Sequence, residues 1–320
     1  MEVHYDITNL PLIKNAVLTI GTFDGVHLGH LQILNSLKEE AQKLDGTTLI
    51  ITFYPHPRNI IKQQQISVNL INTLPERIQL LSKCGIDHLV IIPFTPEFAE
   101  MTATSFVEDF IIKYFHPSMI IIGYDHHFGL HRAGNFQLLE TYSKQGEFIL
   151  KEIPAHLLEE SSISATRIRT ALQQGDLPLA KQLLGYEYFF QGTVVEGNKI
   201  GRTLGYPTAN LVISDSEKLV PSNGVYAVEV EWIPKLNERF ETSRSTRLQG
   251  MMNIGYRPTV NGSQKVIEVH IFNFNETIYG DELRVYLKSF IRKERKFDGL
   301  DALKHQLAQD KLDSTAILTV

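Results

Sequence analysis

Residues 21–30 read GTFDGVHLGH and separate an apolar strand, predicted over residues 16–20, from an amphipathic helix. A helix N-terminus carries unpaired backbone N–H groups and a partial positive charge, so phosphates bind readily at such a junction. Gly21, Gly25 and Gly29 allow the backbone to approach a nucleotide closely. The stretch therefore predicts a phosphate-binding loop at the end of a strand.

Two histidines in this loop add side-chain chemistry. His27 and His30 are three residues apart, so on the first helical turn both rings project from one face and can reach one polyphosphate. Metal binding by the pair is less favoured, because no cysteine and no nearby third ligand at a familiar zinc spacing accompanies it. A simple strand-to-helix turn with solvated histidines is the other alternative.

Length and composition limit the class of protein. A chain of 320 residues is too long for one compact core, and we predict domains over residues 1–185 and 186–320. The net charge of −5 argues against broad nucleic-acid binding, and no apolar run is long enough to span a bilayer. A single cysteine, Cys84, fits a reducing compartment and hence a cytoplasmic protein. Self-association stays open.

Strand and helix patterns alternate throughout the first half. This alternation is typical of a doubly wound, Rossmann-like parallel sheet with right-handed crossovers. A capping box formed by Ser105 and Glu108 predicts the start of a helix that reaches Phe115. After the first strand, the predicted strands are residues 47–53, 89–94, 119–122 and 148–153.

The second half has a different period. Short stretches of period two, separated by glycine and asparagine, predict an antiparallel β-barrel, followed by a closing helix over residues 300–308. The predicted barrel strands are residues 191–195, 224–232, 248–254, 266–274 and 283–290.

Two stretches of the second half carry chemistry. Residues 192–210, GTVVEGNKIGRTLGYPTAN, are glycine-rich and could wrap phosphates with backbone N–H groups, although the stretch lacks the ending of a P-loop. In the strand over residues 266–274, alternation places Glu268 and His270 on the face opposite the apolar residues. Without the Pro-Thr-Ala-Asn stretch at residues 207–210, a merely polar outer face would be the better interpretation of that strand.

The loop at residues 21–30 resembles the H-x-G-H signature of nucleotidylyltransferases, and its longer form is similar to that of bacterial FAD synthetases. The resemblance implies a domain that transfers AMP from ATP to FMN. It implies catalytic roles for His27 and His30, and ATP or phosphate contacts at Gly21, Phe23, Asp24 and Gly29.

Two further segments of the first half extend this resemblance. Residues 161–169, SSISATRIR, are similar to the I-S-S-T-x-I-R motif that grips the leaving pyrophosphate, with Ala165 in place of the usual second serine. The contacts implied are those of Ser164, Thr166 and Arg169. In the loop at residues 123–129, GYDHHFG, we predict that Asp125 contacts the flavin or Mg²⁺, because a carboxylate beside a triphosphate can share the metal.

Residues 201–210 resemble the flavokinase pattern G-R-x-L-G-[FY]-P-T-A-N. By that resemblance Thr208 and Asn210 hold the Mg²⁺ of Mg-ATP, and Glu268 is the base that accepts the proton of the riboflavin 5′-hydroxyl. Phosphate contacts are assigned to Gly192, Gly197, Gly201 and Arg202, and a flavin contact to Arg292.

Together the two halves are similar to the bifunctional riboflavin kinase and FMN adenylyltransferase family. The implied ligands are riboflavin, FMN, FAD and ATP, with Mg²⁺ as cofactor. Two alternatives stay open. Ala165 and the variant loop at 123–129 could leave only the kinase step active, or the chain could be a flavin- or nucleotide-sensing module without turnover, although a sensor has no need of Glu268.

Overall fold

The structure, a computed structural model, describes residues 1–61, 68–154, 163–197, 200–235, 247–259 and 262–319. Residues 161–162 of the pyrophosphate motif and 198–199 of the glycine-rich stretch therefore lie outside the described residues. The chain divides into two compact units, Met1–Ala165 and Thr166–Val320.

The first unit is built on a six-stranded parallel sheet, which confirms the predicted Rossmann-like fold. The strand order is β1-β4-β3-β2-β5-β6, so the chain leaves β2 in one direction toward β3 and β4 and later returns on its other side with β5 and β6. The strands are β1 (Glu2–His4), β2 (Val17–Ile20), β3 (Thr48–Tyr54), β4 (His88–Pro93), β5 (Met119–Gly123) and β6 (Ile149–Ile153).

The central strands are apolar at nearly every position because both faces of the sheet are covered. Leu49 and Ile51 of β3 enter one core cluster, whereas Ile50 between them enters the other. The covering helices are α1 (Leu28–Lys43), α2 (Pro57–Ile60), α3 (Leu74–Ser82), α4 (Pro96–Ala99), α5 (Ala103–Ser105), α6 (Lys113–Phe115) and α7 (Phe136–Lys144), with a π-helix (Phe106–Ile112) between α5 and α6.

The predicted capping box at Ser105 and Glu108 is wrong. The helical segment begins earlier, at Ala103, where the Thr102 hydroxyl accepts a hydrogen bond from the Ser105 backbone N–H (3.1 Å). Ser105 makes no capping bond. A capping box does form at α3, between Thr73 and Glu76.

The second unit is a closed antiparallel barrel with strand order β10-β11-β8-β7-β12-β9, as the sequence predicts. Its strands are β7 (Phe189–Val195), β8 (Ala209–Val212), β9 (Gly224–Ile233), β10 (Leu248–Thr259), β11 (Gly262–Ile271) and β12 (Glu282–Arg292). Its helices are α8 (Ala165–Gln174), α9 (Leu177–Leu184), α10 (Ile200–Thr203) and α11 (Leu300–Leu318).

The last helix continues ten residues past its predicted end at residue 308. Two strands, β1 and β8, were not predicted. In the part of the chain that the structure describes, no helix has the length and apolar character needed to cross a membrane.

Candidate active sites

The topology of the sheet places the first candidate site. Because all six strands are parallel, the loops that follow them share one edge. The strand order reverses between β2 and β5, and ligands of open α/β sheets bind in the crevice beside such a reversal. The loop at residues 21–27 follows β2 and the loop at residues 124–129 follows β5, so these two predicted loops flank the crevice.

The loop after β2 has an unusual backbone. Phe23, Gly25 and Val26 have φ angles of +49°, +88° and +35°. Residues other than glycine rarely adopt this left-handed backbone conformation, and such strain is concentrated at functional sites. The loop turns within a few residues, and α1 begins directly after it, with His27 as the N-cap.

The two predicted histidines stack on each other, with His27 buried and His30 half-buried. Their rings lie 3.6 Å apart at an angle of 13°, and the His27 Nδ1 accepts a hydrogen bond from the His30 backbone N–H (3.3 Å). Burial, together with the nearby His27 and Arg77, holds the pKa of His30 well below 6.5, so this ring is neutral at pH 7. Among the described residues, the buried His30 Nδ1 has no hydrogen-bond partner. This atom is available to a ligand that reaches it.

Phe23 and Asp24 lie inside the protein, each 2% exposed. The Asp24 carboxylate accepts hydrogen bonds from the backbone N–H groups of Ile71 (3.2 Å) and Asn72 (3.1 Å). The Phe23 ring lies 5.0 Å from the His30 ring, centroid to centroid. Both side chains therefore hold the loop in place, and a direct contact of either with ATP stays a prediction.

Sequence reasoning missed Arg77 of α3, which is 3% exposed. Its Nη1 donates to the Thr22 carbonyl and its Nη2 to the Phe53 carbonyl (3.5 Å), so it joins the loop after β2 to the end of β3. Burial lowers the pKa of the guanidinium. The sequence did contain a signal, because Arg77 shares an apolar helical stripe with Leu74 and Leu81.

The loop after β5 combines an exposed carboxylate with a buried imidazole. Asp125 is exposed, as a ligand contact requires. Burial lowers the pKa of His126 to about 4, and its Nε2 has no hydrogen-bond partner among the residues that are described. The His127 Nδ1 lies 3.3 Å from the Gly134 carbonyl oxygen and closes the loop. The ligand contact of Asp125 stays a prediction.

The pyrophosphate motif is divided between the two units. Ser164 is exposed and belongs to the first unit, and the preceding Ile163 lies close to Gly29. Thr166 is exposed and Arg169 is half-buried, and both belong to the second unit. Their participation in the first site stays a prediction.

In the barrel, strand register brings together the residues of the second candidate site. Asn210 of β8 pairs with Glu268 of β11, which in turn pairs with Asn253 of β10. Residues in register point to the same side of a sheet, and all three are half-buried, whereas Ile267 and Val269 fill the interior. Asn253 was not predicted, and its signal is a polar residue within an apolar strand.

Glycines allow the loop before β8 to pack tightly. A Cβ on Gly197 would collide with the Asn210 amide, and a Cβ on Gly201 would collide with the Tyr206 carbonyl oxygen. The Tyr206 N–H donates to the Gly201 carbonyl (2.7 Å), and the half-buried Thr208 lies beside Gly201. The glycine-rich stretch therefore lies against both predicted metal ligands.

Gly192 and Arg202 have different surroundings. Gly192 is buried in β7 against the backbone of Val212, whereas Arg202 is exposed on α10. The phosphate contacts predicted for these two residues stay predictions.

His270 has a structural partner rather than a free ring. It is 7% exposed, and its Nδ1 lies 2.8 Å from the Pro207 carbonyl oxygen, beside the edge-on ring of Tyr206. Burial lowers its pKa, so the ring is neutral at pH 7. A carbonyl only accepts, so Nδ1 carries the proton and donates it. His270 thus fixes the loop immediately before Thr208.

Arg292 forms a bidentate ion pair with Asp310 of α11. Its Nε and Nη2 donate to the two carboxylate oxygens (2.8 and 2.7 Å), and its Nη1 donates to the Lys293 carbonyl (3.1 Å). Asp310 is fully buried. The guanidinium therefore joins β12 to α11, and its predicted flavin contact stays a prediction.

Comparison with known proteins adds independent information. Residues 11–167 match the family described as FAD synthetase, and residues 184–318 match riboflavin kinase. The chain is 38% identical over 299 residues to the bifunctional riboflavin kinase/FMN adenylyltransferase of Haemophilus influenzae, covering 93% of each chain. It is 36% identical over 299 residues to the Escherichia coli K12 protein of the same name, covering 93% of this chain and 91% of that one.

A solved structure has a similar fold over nearly its whole length. It is a crystal structure from Streptococcus pneumoniae, described as a macrolide-efflux protein, with 31% sequence identity and a TM-score of 0.84. The match covers 98% of both chains.

Proposed function

Because this chain belongs to the bifunctional riboflavin kinase/FMN adenylyltransferase family, we propose that each of its two halves carries one of the two reactions. The enzyme phosphorylates riboflavin with ATP to give FMN. It then transfers AMP from a second ATP to FMN, giving FAD and pyrophosphate. The two family matches leave residues 168–183 between them, and we keep the functional boundary after residue 185. The ATP requirement supports a cytoplasmic location.

The kinase step belongs to the barrel. Glu268 accepts the proton of the riboflavin 5′-hydroxyl as that oxygen attacks the γ-phosphate of ATP. Asn210 offers an amide oxygen opposite Glu268, and Thr208 offers a hydroxyl two residues earlier in the chain, a donor set that suits Mg²⁺. When bound there with ATP, Mg²⁺ neutralises phosphate charge. His270 holds the Pro207 carbonyl and so fixes the chain that leads through Thr208 to Asn210, the residue opposite Glu268.

The adenylylation step belongs to the sheet unit and needs no covalent enzyme intermediate. His27 and His30 meet the phosphates of ATP, and the neutral His30 ring acts as a hydrogen-bond partner rather than as a cation. Ser164, Thr166 and Arg169 hold the leaving pyrophosphate, and Asp125 faces the flavin or its metal. The rate acceleration comes from positioning the two substrates and from stabilising the charge that develops on the phosphates.

The observation that carries this proposal is the pairing of Asn210 with Glu268 across β8 and β11. The test is chromatography of flavins after incubation of the purified chain with ATP, Mg²⁺ and either riboflavin or FMN. FAD in both samples is the expected result. FMN without FAD would leave only the kinase step, with Ala165 and the loop at 123–129 as the first residues to restore, and no conversion in either sample would support a sensing module.

A further inference from the structure

A cluster of metal-ligand residues lies at the edge of the parallel sheet, away from the loops described above. Glu2 and His4 alternate along β1 and therefore project from the same face. Parallel pairing places Glu2 opposite His88, the first residue of β4. The candidate active-site loops follow the carboxyl ends of the strands. A cluster at the first residue of β4 therefore lies at the opposite, amino-terminal end of the strands.

The donor atoms of the three side chains converge. The His4 Nε2 lies 3.0 Å from the His88 Nδ1, and a Glu2 carboxylate oxygen lies 3.7 Å from that same Nδ1. One donor atom from each residue lies within 4.8 Å of the other two. The neighbouring Asp87 is engaged elsewhere, because its carboxylate accepts hydrogen bonds from the backbone N–H (2.9 Å) and hydroxyl (2.7 Å) of Thr48.

These distances are close to those of a tetrahedral metal site. Zinc binds imidazole nitrogen and carboxylate oxygen at about 2.0–2.2 Å, which puts ligand atoms roughly 3.3–3.5 Å apart. The two histidine nitrogens need to separate by only a few tenths of an ångström. The exposed Glu2 carboxylate, whose oxygen lies within 4.8 Å of the His4 nitrogen, can rotate toward both. Two imidazoles and one carboxylate favour a transition metal over Mg²⁺ or Ca²⁺, which prefer oxygen ligands alone.

We propose that Glu2, His4 and His88 bind one divalent transition-metal ion, with Zn²⁺ the best match, and that this ion fastens the edge strand β1 to β4. In the metal-free protein one histidine nitrogen donates the hydrogen bond between the rings and the other accepts it. When the ion binds, the ring that donated this hydrogen bond gives up that proton to solvent and takes one up on its other nitrogen, so both rings stay neutral and both facing nitrogens coordinate through their lone pairs. Glu2 is exposed, so a water molecule from solvent completes the coordination.

The edge strand β1, which the ion would fasten to β4, is short. β1 has three residues and lies at the end of the strand order, pairing with β4. An ion held by both strands links residues 2–4 to residue 88 across the edge of the sheet. The Glu2 backbone N–H donates to the Asp87 carbonyl (2.7 Å), and the His4 N–H points to the same side of the strand. These two N–H groups should therefore exchange with solvent more slowly when the metal is bound.

The binding test uses the full chain without a histidine tag, stripped of metal and titrated with Co²⁺, whose visible bands report tetrahedral coordination, and with Zn²⁺ by calorimetry. We expect one ion per chain at this site. Changes in the outer shell of zinc sites cost about 10–100-fold in affinity, and His4→Gln and His88→Gln, which remove a ligand, should cost at least as much. Glu2→Gln should weaken binding while leaving the exposed position otherwise intact.

The matched control is His116→Asn, which removes an exposed histidine of the same unit at a left-handed position that asparagine tolerates. Circular dichroism of the metal-free variants shows whether each still folds. Absence of binding, or unchanged affinity in folded Glu2→Gln, His4→Gln and His88→Gln, would overturn the site. Loss of the same binding in His30→Ala would assign the ion to the stacked histidines instead. Binding without slower exchange in β1 would overturn the role in fastening the strand.

Discussion

The two candidate sites present their reactive groups in opposite ways. In the sheet unit, the buried His27 and the half-buried His30 are stacked at the start of α1, and loss of solvent around the His30 ring keeps it neutral. In the barrel, Glu268 and Asn210 are half-exposed on the outer face of paired strands. Buried neutral donors suit the binding of phosphates that bring their own charge. Half-exposed oxygen donors suit a metal ion that retains water molecules.

The residues that support the loops of each site also differ between the two units. A buried cation, Arg77, supports the loop of the sheet unit through backbone carbonyls. A neutral imidazole, His270, supports the loop of the barrel, and the ion pair of Arg292 and Asp310 holds the last helix. The following variants separate the contributions of the two units.

The largest effect should come from Glu268→Gln. Removing a general base typically costs about 10²–10⁴-fold in rate, so FMN formation from riboflavin should nearly stop, while FAD formation from supplied FMN continues. Flavin chromatography measures both rates. Glu276→Gln, at an exposed position of the same unit, is the control and should leave both rates unchanged. Loss of both activities in a folded Glu268→Gln protein would contradict the assignment of one reaction to each half.

Asp310→Ala should destabilise the barrel by about 1.5–3 kcal/mol, because the half-buried Arg292 guanidinium would lose both of its charge-assisted hydrogen bonds to this carboxylate. Urea unfolding followed by the fluorescence of the single tryptophan, Trp232 in β9, reports this unit. Asp313→Ala is the control, since Asp313 on the same helix accepts an exposed hydrogen bond from Gln309 (2.8 Å). Equal unfolding midpoints for the two variants would show that the ion pair contributes little.

His30→Ala should slow FAD formation from FMN and leave the kinase rate unchanged. A hydrogen bond to a charged group contributes about 1.5–3 kcal/mol, so the expected loss is about 10–150-fold. Because the pKa of His30 lies well below 6.5, the wild-type adenylylation rate should not fall between pH 6.5 and 8 through loss of a proton from this ring. His305→Ala on α11 is the control. A slower kinase in His30→Ala would argue against separate sites.

The smallest effect concerns pH and His126. Its pKa is about 4 in the folded protein and 6.5 in an unfolded chain, so between these values the unfolded state binds more protons. The contribution of His126 to the free energy of unfolding is therefore full above pH 6.5, and it is lost progressively as the pH falls toward 4. The free energy of unfolding of the wild-type protein decreases between pH 7 and pH 5, and in His126→Phe this decrease should be smaller by about 1–2 kcal/mol. Hydrogen exchange of β5 measures this change in the free energy of unfolding. His116→Asn, at an exposed position outside this loop, is the control and should keep the wild-type pH dependence.

Much of the fold could be read from periodicity. Strands of the central sheet are apolar on both faces, and each predicted end differs from the observed one by at most one residue. The short strands β1 and β8 were missed, because three or four partly polar residues carry too little periodicity. The end of α11 was missed because its buried residues include Asp310 and Ser314, which interrupt any apolar stripe.

The sequence by itself determined the order of strands and helices, the two family motifs and the identity of the reactive side chains, because these depend on local spacing. Only the tertiary structure decided which of these side chains meet. Register across β8, β11 and β10 brought Asn253 beside Asn210 and Glu268, and burial made His30 neutral and placed Arg77 behind the loop. Register and burial depend on contacts between residues far apart in the chain, which local patterns do not contain.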